Sequence, residues 1–129
     1  MPRVAHKTFD CGPGCPVEGT LNLIGGKWKG VILYHLLKDG ALRFNELRRR
    51  LSSVTQRMLT NQLRELEKDR LVVREVFAQV PPRVEYSLSA RGQSLGPIIM
   101  ALKAWGEANV TSAMPGRQDA GDVAQREQP

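Results

Sequence analysis

Apolar side chains recur along most of this chain at three- and four-residue spacings, interrupted once by two short β-branched runs. Between Ser52 and Arg70, Leu59, Leu63 and Leu66 stand one above another on a helix that turns about 100° per residue. Gln56, Arg57, Thr60, Asn61, Arg64 and Lys68 fall broadly on the other side. One face is therefore a buried seam and the other is hydrogen-bonding and cationic. Ser53 and Gln56 have the S-x-x-Q spacing of a capping box, so this helix is expected to start from Ser53.

The same pattern predicts the other elements. Pro16 suits the first position of a helix and Glu18 its third, with Val17, Leu21 and Ile24 as an apolar stripe before Gly25-Gly26 ends it. A core helix follows from Lys27 to Lys38, with Trp28, Val31, Ile32, Tyr34 and Leu36 packing, until Asp39-Gly40. After Ala41-Leu42, a short helix over Arg43 to Leu51 turns Phe44, Leu47 and Leu51 inward and Arg48, Arg49 and Arg50 outward. The runs Leu71 to Phe77 and Val84 to Leu88 read as a hairpin around Ala78-Gln-Val-Pro-Pro-Arg83, whose two prolines stiffen the loop. From Ser89 the period is helical again, with Leu95, Ile98, Ile99, Leu102 and Trp105 on a broad stripe that Pro97 should bend.

Two short helices joined by a tight connection, the second with a polar outer face, make a helix-turn-helix, and the hairpin behind them makes a wing. The expected fold is α+β, mainly α: a winged helix-turn-helix domain with a two-stranded β-wing and a C-terminal dimerisation helix. Residues 1–14 read as a flexible N-terminal arm, 15–110 as the winged domain and 111–129, poor in large apolar groups, as a disordered tail.

Charge narrows the partner. The 129-residue chain carries a formal net charge of +6 and a pI near 9.8, which favours a polyanion. No apolar run approaches the roughly 18 residues of a membrane span. The first residues, with Pro2, Arg3, His6 and Lys7, lack a signal-peptide core, so no membrane partner and a cytoplasmic location are expected.

Arg pairs with guanine O6/N7 and Asn or Gln with adenine N6/N7 in a major groove. The Gln56, Arg57, Thr60, Asn61 and Arg64 face therefore suits double-stranded DNA. Taken alone, such a face commonly meets only water, and an arginine run is usually solvated; the helix-turn-helix setting gives both a task. Arg43 and Arg48 flank the face at positions suited to phosphates, and Arg83 at the end of a stiff wing can enter a minor groove or lie along the backbone. The stripe of Leu95, Ile98, Ile99, Leu102 and Trp105 exceeds what a small winged domain has core left to cover, which argues for a homodimer with Leu21 of the first helix nearby. A winged-helix protein-interaction module is the competing reading, and strongly salt-dependent, sequence-selective DNA binding separates the two.

The two cysteines, Cys11 and Cys15, are too few for a secreted disulfide framework. Cys15 stands at the N-cap before Pro16, where unpaired N–H groups and the helix dipole favour a thiolate, while Glu18 opposes it. A reactive thiol, resolved by Cys11 or by a second subunit, stands beside a merely structural N-cap. As metal ligands the pair falls two short of a zinc site with only His6 close in sequence, so no metal is expected. His35 has no acidic or thiol partner local to it and reads as packing. No phosphate-binding loop, zinc-protease motif or paired-carboxylate pocket is evident, so neither an enzyme nor a cofactor is expected.

Five ordered motifs carry a family resemblance: Cys15-Pro-Val-Glu18, Ile24-Gly-Gly-Lys-Trp-Lys29, Arg43-Phe-Asn-Glu-Leu-Arg48, Met58-Leu-Thr-Asn-Gln-Leu-Arg-Glu-Leu66 and Pro81-Pro-Arg-Val-Glu-Tyr86. From about Cys15 to Gly106 the chain resembles the HxlR family, bacterial winged-helix transcription regulators related to the MarR group. The resemblance implies a regulator, expected to act as a repressor, that binds a pseudo-palindromic operator as a homodimer. It also implies Ser53, Thr55, Gln56, Arg57, Thr60, Asn61 and Arg64 at or near the groove and Arg83 on the wing. Cys15 matches the N-terminal cysteine through which some members sense oxidants or electrophiles; Cys11 and the long tail lie outside the shared pattern, and any effector is left unidentified.

Overall fold

A computed structural model describes residues 14–111. In chain order it contains α1 (Pro16–Ile24), α2 (Lys29–Asp39), β1 (Leu42–Arg43), α3 (Phe44–Arg50), α4 (Gln56–Lys68), β2 (Val72–Phe77), β3 (Arg83–Leu88), α5 (Ala90–Gln93) and α6 (Gly96–Gly106), which runs on into a π-helical turn, Glu107–Thr111. The chain divides into two compact units, with the break between Ser94 and Leu95.

The first unit is built on leucines and an isoleucine. Ile32, Leu33, Leu36, Leu47, Leu51, Leu59, Leu63, Leu66 and Leu71 are almost wholly buried. Each contributes on the order of 1.5–3 kcal/mol by leaving water, so α2, α3 and α4 are held chiefly by apolar packing. Leu33 was not among the residues expected inside, and Val31, which was, is exposed. The seam set by Ile32, Leu33 and Leu36 leaves Val31 on the outer side of α2. In α1 only Ile24 is buried, and Val17 and Leu21 face out. Gly40 closes α2 at φ 79, a left-handed conformation that costs a side chain energy, and its N–H donates to the Leu36 carbonyl at 3.0 Å.

The sheet has three antiparallel strands in the order β1-β3-β2: the β2–β3 hairpin is the expected two-stranded wing, and β1 adds a third strand against β3. Leu42 and Arg43 pair with Tyr86 and Glu85; a strand of two residues is too short to reveal itself by alternation. The hairpin keeps a continuous register from Val72 opposite Leu88 to Phe77 opposite Arg83. Arg83 therefore belongs to β3 and is not part of the loop.

Ser89 joins sheet to helix. Its Oγ donates to the Arg70 carbonyl at 2.6 Å and accepts from the Gly92 N–H at 3.0 Å, while its own N–H donates to the Leu71 carbonyl at 3.0 Å. A Cβ on Gly92 would collide with that same Leu71 carbonyl, so glycine permits the close approach. The helical run after Ser89 is divided at Ser94–Leu95, and Pro97 lies in the first turn of α6. There its missing N–H costs nothing, so it starts a helix where a bend in a continuous one was expected.

Candidate nucleic-acid interface

The connection between α3 and α4 decides what α4 presents. Leu51 ends α3 and is buried, and Val54, buried three residues later, donates its N–H to the Leu51 carbonyl at 2.8 Å. These two apolar anchors pin the turn to the core and leave Ser52 and Ser53 exposed at its outside. The backbone can become helical only after Val54. Thr55, extended at φ −85 and ψ 160, is the N-cap, and its Oγ1 accepts from the Met58 N–H at 3.1 Å. The expected Ser53–Gln56 capping box is thus displaced by two residues, because the buried Val54 fixes where the helix can begin.

With Leu59, Leu63 and Leu66 buried, the rest of α4 is turned outward. Gln56, Arg57, Asn61 and Arg64 are exposed and Thr60 is half-buried. These five line one shallow, open depression, so the structure brings together the face that the helical spacing grouped. Two cations, two amides and a hydroxyl in one concavity offer donors and acceptors to base edges and phosphates alike.

A second open depression lies at the end of α3, lined by Asn45, Arg48, Arg49, Ser52 and Val54. Asn45, Arg49 and Ser52 were not among the expected site residues. Counting about 100° per residue from buried Leu47 puts Asn45 and Arg49 on the outer side and would have found both. Arg43 is exposed just before α3, and its backbone N–H donates to the Glu46 Oε1 at 2.8 Å.

Arg50 has a different task from its neighbours. Its Nε donates to the Asp39 Oδ2 at 2.9 Å and its Nη1 to the Glu46 carbonyl at 3.0 Å. The guanidinium ties α3 to the end of α2, so of the outward arginine run only Arg48 and Arg49 face the depression.

Arg83 is also engaged within the protein. Its Nε stands 3.3 Å from the Glu85 Oε2, and its guanidinium carbon lies 4.2 Å from the centre of the Phe77 ring. That Nε is buried and too poorly aligned for a hydrogen bond. The side chain lies along the hairpin and does not project from its tip, where Gln79, Val80, Pro81 and Pro82 are exposed.

Of the two carboxylates on α4, Glu65 and Glu67, the first is exposed beside Arg64. Lys29 Nζ pairs with the Glu65 Oε1 at 2.5 Å. The hydrogen bond from Lys29, then its charge, holds the Glu65 carboxyl below the usual carboxylate range. His35 is shifted down from the usual histidine value, first by burial, with Asp39 opposing; its ring meets Tyr34 edge-on at 5.2 Å.

Cys15 is the extended N-cap of α1 and is 2 % exposed. Its side chain makes no capping hydrogen bond to the helix, and Glu18 reaches back to accept the Gly14 N–H at 3.0 Å. Cys11 lies outside the described residues, as do the arm before Gly14 and the tail after Thr111. Among the residues expected at a dimer interface, Leu21, Ile98, Leu102 and Trp105 are exposed, whereas Leu95 and Ile99 are buried within the single chain. Among the described residues no cluster of three or more His, Cys, Asp or Glu is placed to hold a metal ion, and no helix is long and apolar enough to cross a membrane.

A capped helix with a polar outer face, a preceding helix locked to it by a buried turn, and a following β-hairpin define a winged helix-turn-helix protein of the DNA-binding regulator class. The chain belongs to the HxlR-like helix-turn-helix family, which residues 23–114 match. It is 62% identical over 96 residues to the HTH-type transcriptional regulator YybR of Bacillus subtilis strain 168, covering 74% of this chain and 76% of the relative. Among solved structures it is similar to the redox regulator HypR in its oxidized form, with 62% identity, a TM-score of 0.71 and coverage of 74% of this chain and 97% of that one. The diamide-treated YodB of Bacillus subtilis is a further neighbour, at 33% identity and a TM-score of 0.62, covering 76% of this chain and 97% of that one.

Proposed function

We propose that this protein is a cytoplasmic, sequence-specific regulator that binds operator DNA as a homodimer. The observation that carries this reading is the depression on α4. A leucine seam turns Gln56, Arg57, Thr60, Asn61 and Arg64 to one open concavity, at the start of a helix whose first turn is capped by Thr55. Arg57 and Asn61 read base edges, Arg43, Arg48 and Arg49 hold phosphates, and the net charge of +6 draws the protein to the duplex. Exposed Leu21, Ile98, Leu102 and Trp105 support pairing of two copies. A dimer would set two recognition helices on successive major grooves about 34 Å apart, on a pseudo-palindrome. Repression follows most simply, since covering an operator needs no surface beyond these.

Cys15 is the proposed redox-responsive thiol, with Cys11 or a cysteine of the second subunit closing a disulfide. The likeness to HypR and to diamide-treated YodB supports it. Because Cys15 is buried, the first turn of α1 must open before an oxidant meets the sulfur, which couples the chemistry to the shape of that helix.

Duplexes selected by the protein from a random-sequence library should converge on an inverted repeat, and binding to them should fall steeply with salt. Enrichment of no sequence would overturn the reading in favour of a protein-interaction module. Treating the complex with diamide should release DNA in the wild type and not in Cys15→Ser; an identical response in both would remove Cys15 from the mechanism.

A further inference from the structure

We infer that Lys29 is a positioning residue for DNA recognition: its ammonium holds and neutralises the Glu65 carboxylate, which would otherwise face DNA as a negative charge beside the reading residues of α4. The inference rests on the DNA-binding reading above and names a part of that site outside the recognition helix.

Glu65 follows Arg64 directly and stands one helical turn after Asn61, two residues of the depression on α4. Its side chain is 54% exposed, so it lies open at the edge of the face that would meet a polyanion. A carboxylate there repels phosphates and lowers the local potential that Arg57 and Arg64 create. The nearest cations differ in kind. Lys68, three residues on, is exposed, whereas the Lys29 side chain comes from α2, is only 12% exposed and meets Oε1 at 2.5 Å. With its stem enclosed by protein, Lys29 has little reach of its own toward DNA. Its effect must pass through Glu65.

As a stabilising contact the pair is weak, because an ion pair with one open partner contributes little to folding. Its value lies in electrostatics and geometry. The ammonium cancels the carboxylate and fixes its rotamer, and it ties the start of α2 to the C-terminal part of the recognition helix. Lys29 also follows the Gly25-Gly26 junction with α1, where Gly26 adopts φ 82.

The test uses the full-length protein and a duplex that the wild type selects from a random library, titrated at low and high salt. Lys29→Met keeps the packed stem and removes the charge. It should weaken binding about fivefold at low salt, with the gap closing as salt rises. Lys29→Met/Glu65→Gln should return to within about twofold of wild type, because the repelling charge has gone with its partner. Glu65→Gln alone should bind at least as tightly as wild type, and this variant decides the matter if Lys29→Met fails to fold. Wild-type affinity in Lys29→Met, an unrescued double variant, or weaker binding by Glu65→Gln would each overturn the inference. A wild type that selects no duplex would overturn the DNA-binding reading and this inference with it, whereas a selective wild type matched by Lys29→Met would overturn the inference alone.

Discussion

Arg83 lies over Phe77 across the end of the wing, its guanidinium carbon 4.2 Å from the ring centre. The two are directly opposed in the β2–β3 register, and the Glu85 carboxylate two residues on holds the same guanidinium from the side. A stacked and ion-paired arginine has given up much of the freedom it needs to reach a groove. Glu75, directly opposite Glu85, adds a second carboxylate to that part of the hairpin.

Glu85→Gln is therefore expected to release Arg83 and strengthen DNA binding, with the salt slope of the association constant steepening by about 0.9, the value of one added phosphate contact. Arg83→Ala alone should change the slope little. Titrations at several salt concentrations measure both. A slope that falls by a full contact in Arg83→Ala would mean that the side chain already lies on the backbone.

The cap of α4 is open to an equally direct comparison. Thr55→Ala removes the acceptor of the Met58 N–H and should lower stability by about 1 kcal/mol, within the range of N-cap losses. Ser53→Ala, on the outside of the turn, should leave the urea midpoint almost unchanged. DNA affinity should follow stability in the first variant, because the cap begins the segment that carries Gln56 and Arg57. Equal losses in the two variants would restore Ser53 as a capping residue.

Much of this site is legible in the sequence because α4 obeys a strict period. Leu59, Leu63 and Leu66 fix the helix phase, and the phase fixes which polar residues are left out. What remained hidden depends on contacts between elements that are distant in sequence. Nothing local distinguishes Arg50 from Arg48, yet Asp39, eleven residues earlier, takes the one and leaves the other to the second depression. Arg83 reads as a loop residue until Phe77 pairs with it, and Leu42-Arg43 becomes a strand only because Tyr86 and Glu85 are there to receive it. The stripe from Leu95 to Trp105 joined two helical faces in one pattern, since period alone does not say which face the chain covers by itself.

The division of labour among the α3 arginines can be read from two measurements on the same variants. Arg50→Ala breaks the tie to Asp39 and to the Glu46 carbonyl and should cost roughly 0.5–1 kcal/mol of stability, as partly exposed ion pairs do, with an unaltered salt slope. Arg48→Ala should leave stability alone, weaken all sequences alike and flatten the slope by about 0.9. A flatter slope in Arg50→Ala would place its charge on DNA in spite of Asp39.

The two faces of α6 separate folding from association. Ile99 is 4 % exposed in the single chain, so Ile99→Ala creates a cavity and should cost about 2–5 kcal/mol wherever the oligomeric equilibrium lies. Ile98 and Leu102, four residues apart on one face and half exposed, are free to be covered by a second copy. Introducing Glu at both positions places two charges in the proposed interface, where removing them from water has no compensating partner. The chain should then remain folded by circular dichroism at low concentration, run as a monomer in light scattering, and lose most of its affinity for the inverted repeat, because each half-site binds alone. Val17 and Leu21 of α1, both exposed, belong to the same test: Leu21→Glu should weaken the dimer in the same direction. A doubly substituted α6 that remains dimeric would remove that helix face from the interface and leave α1 as the surface through which two copies must meet.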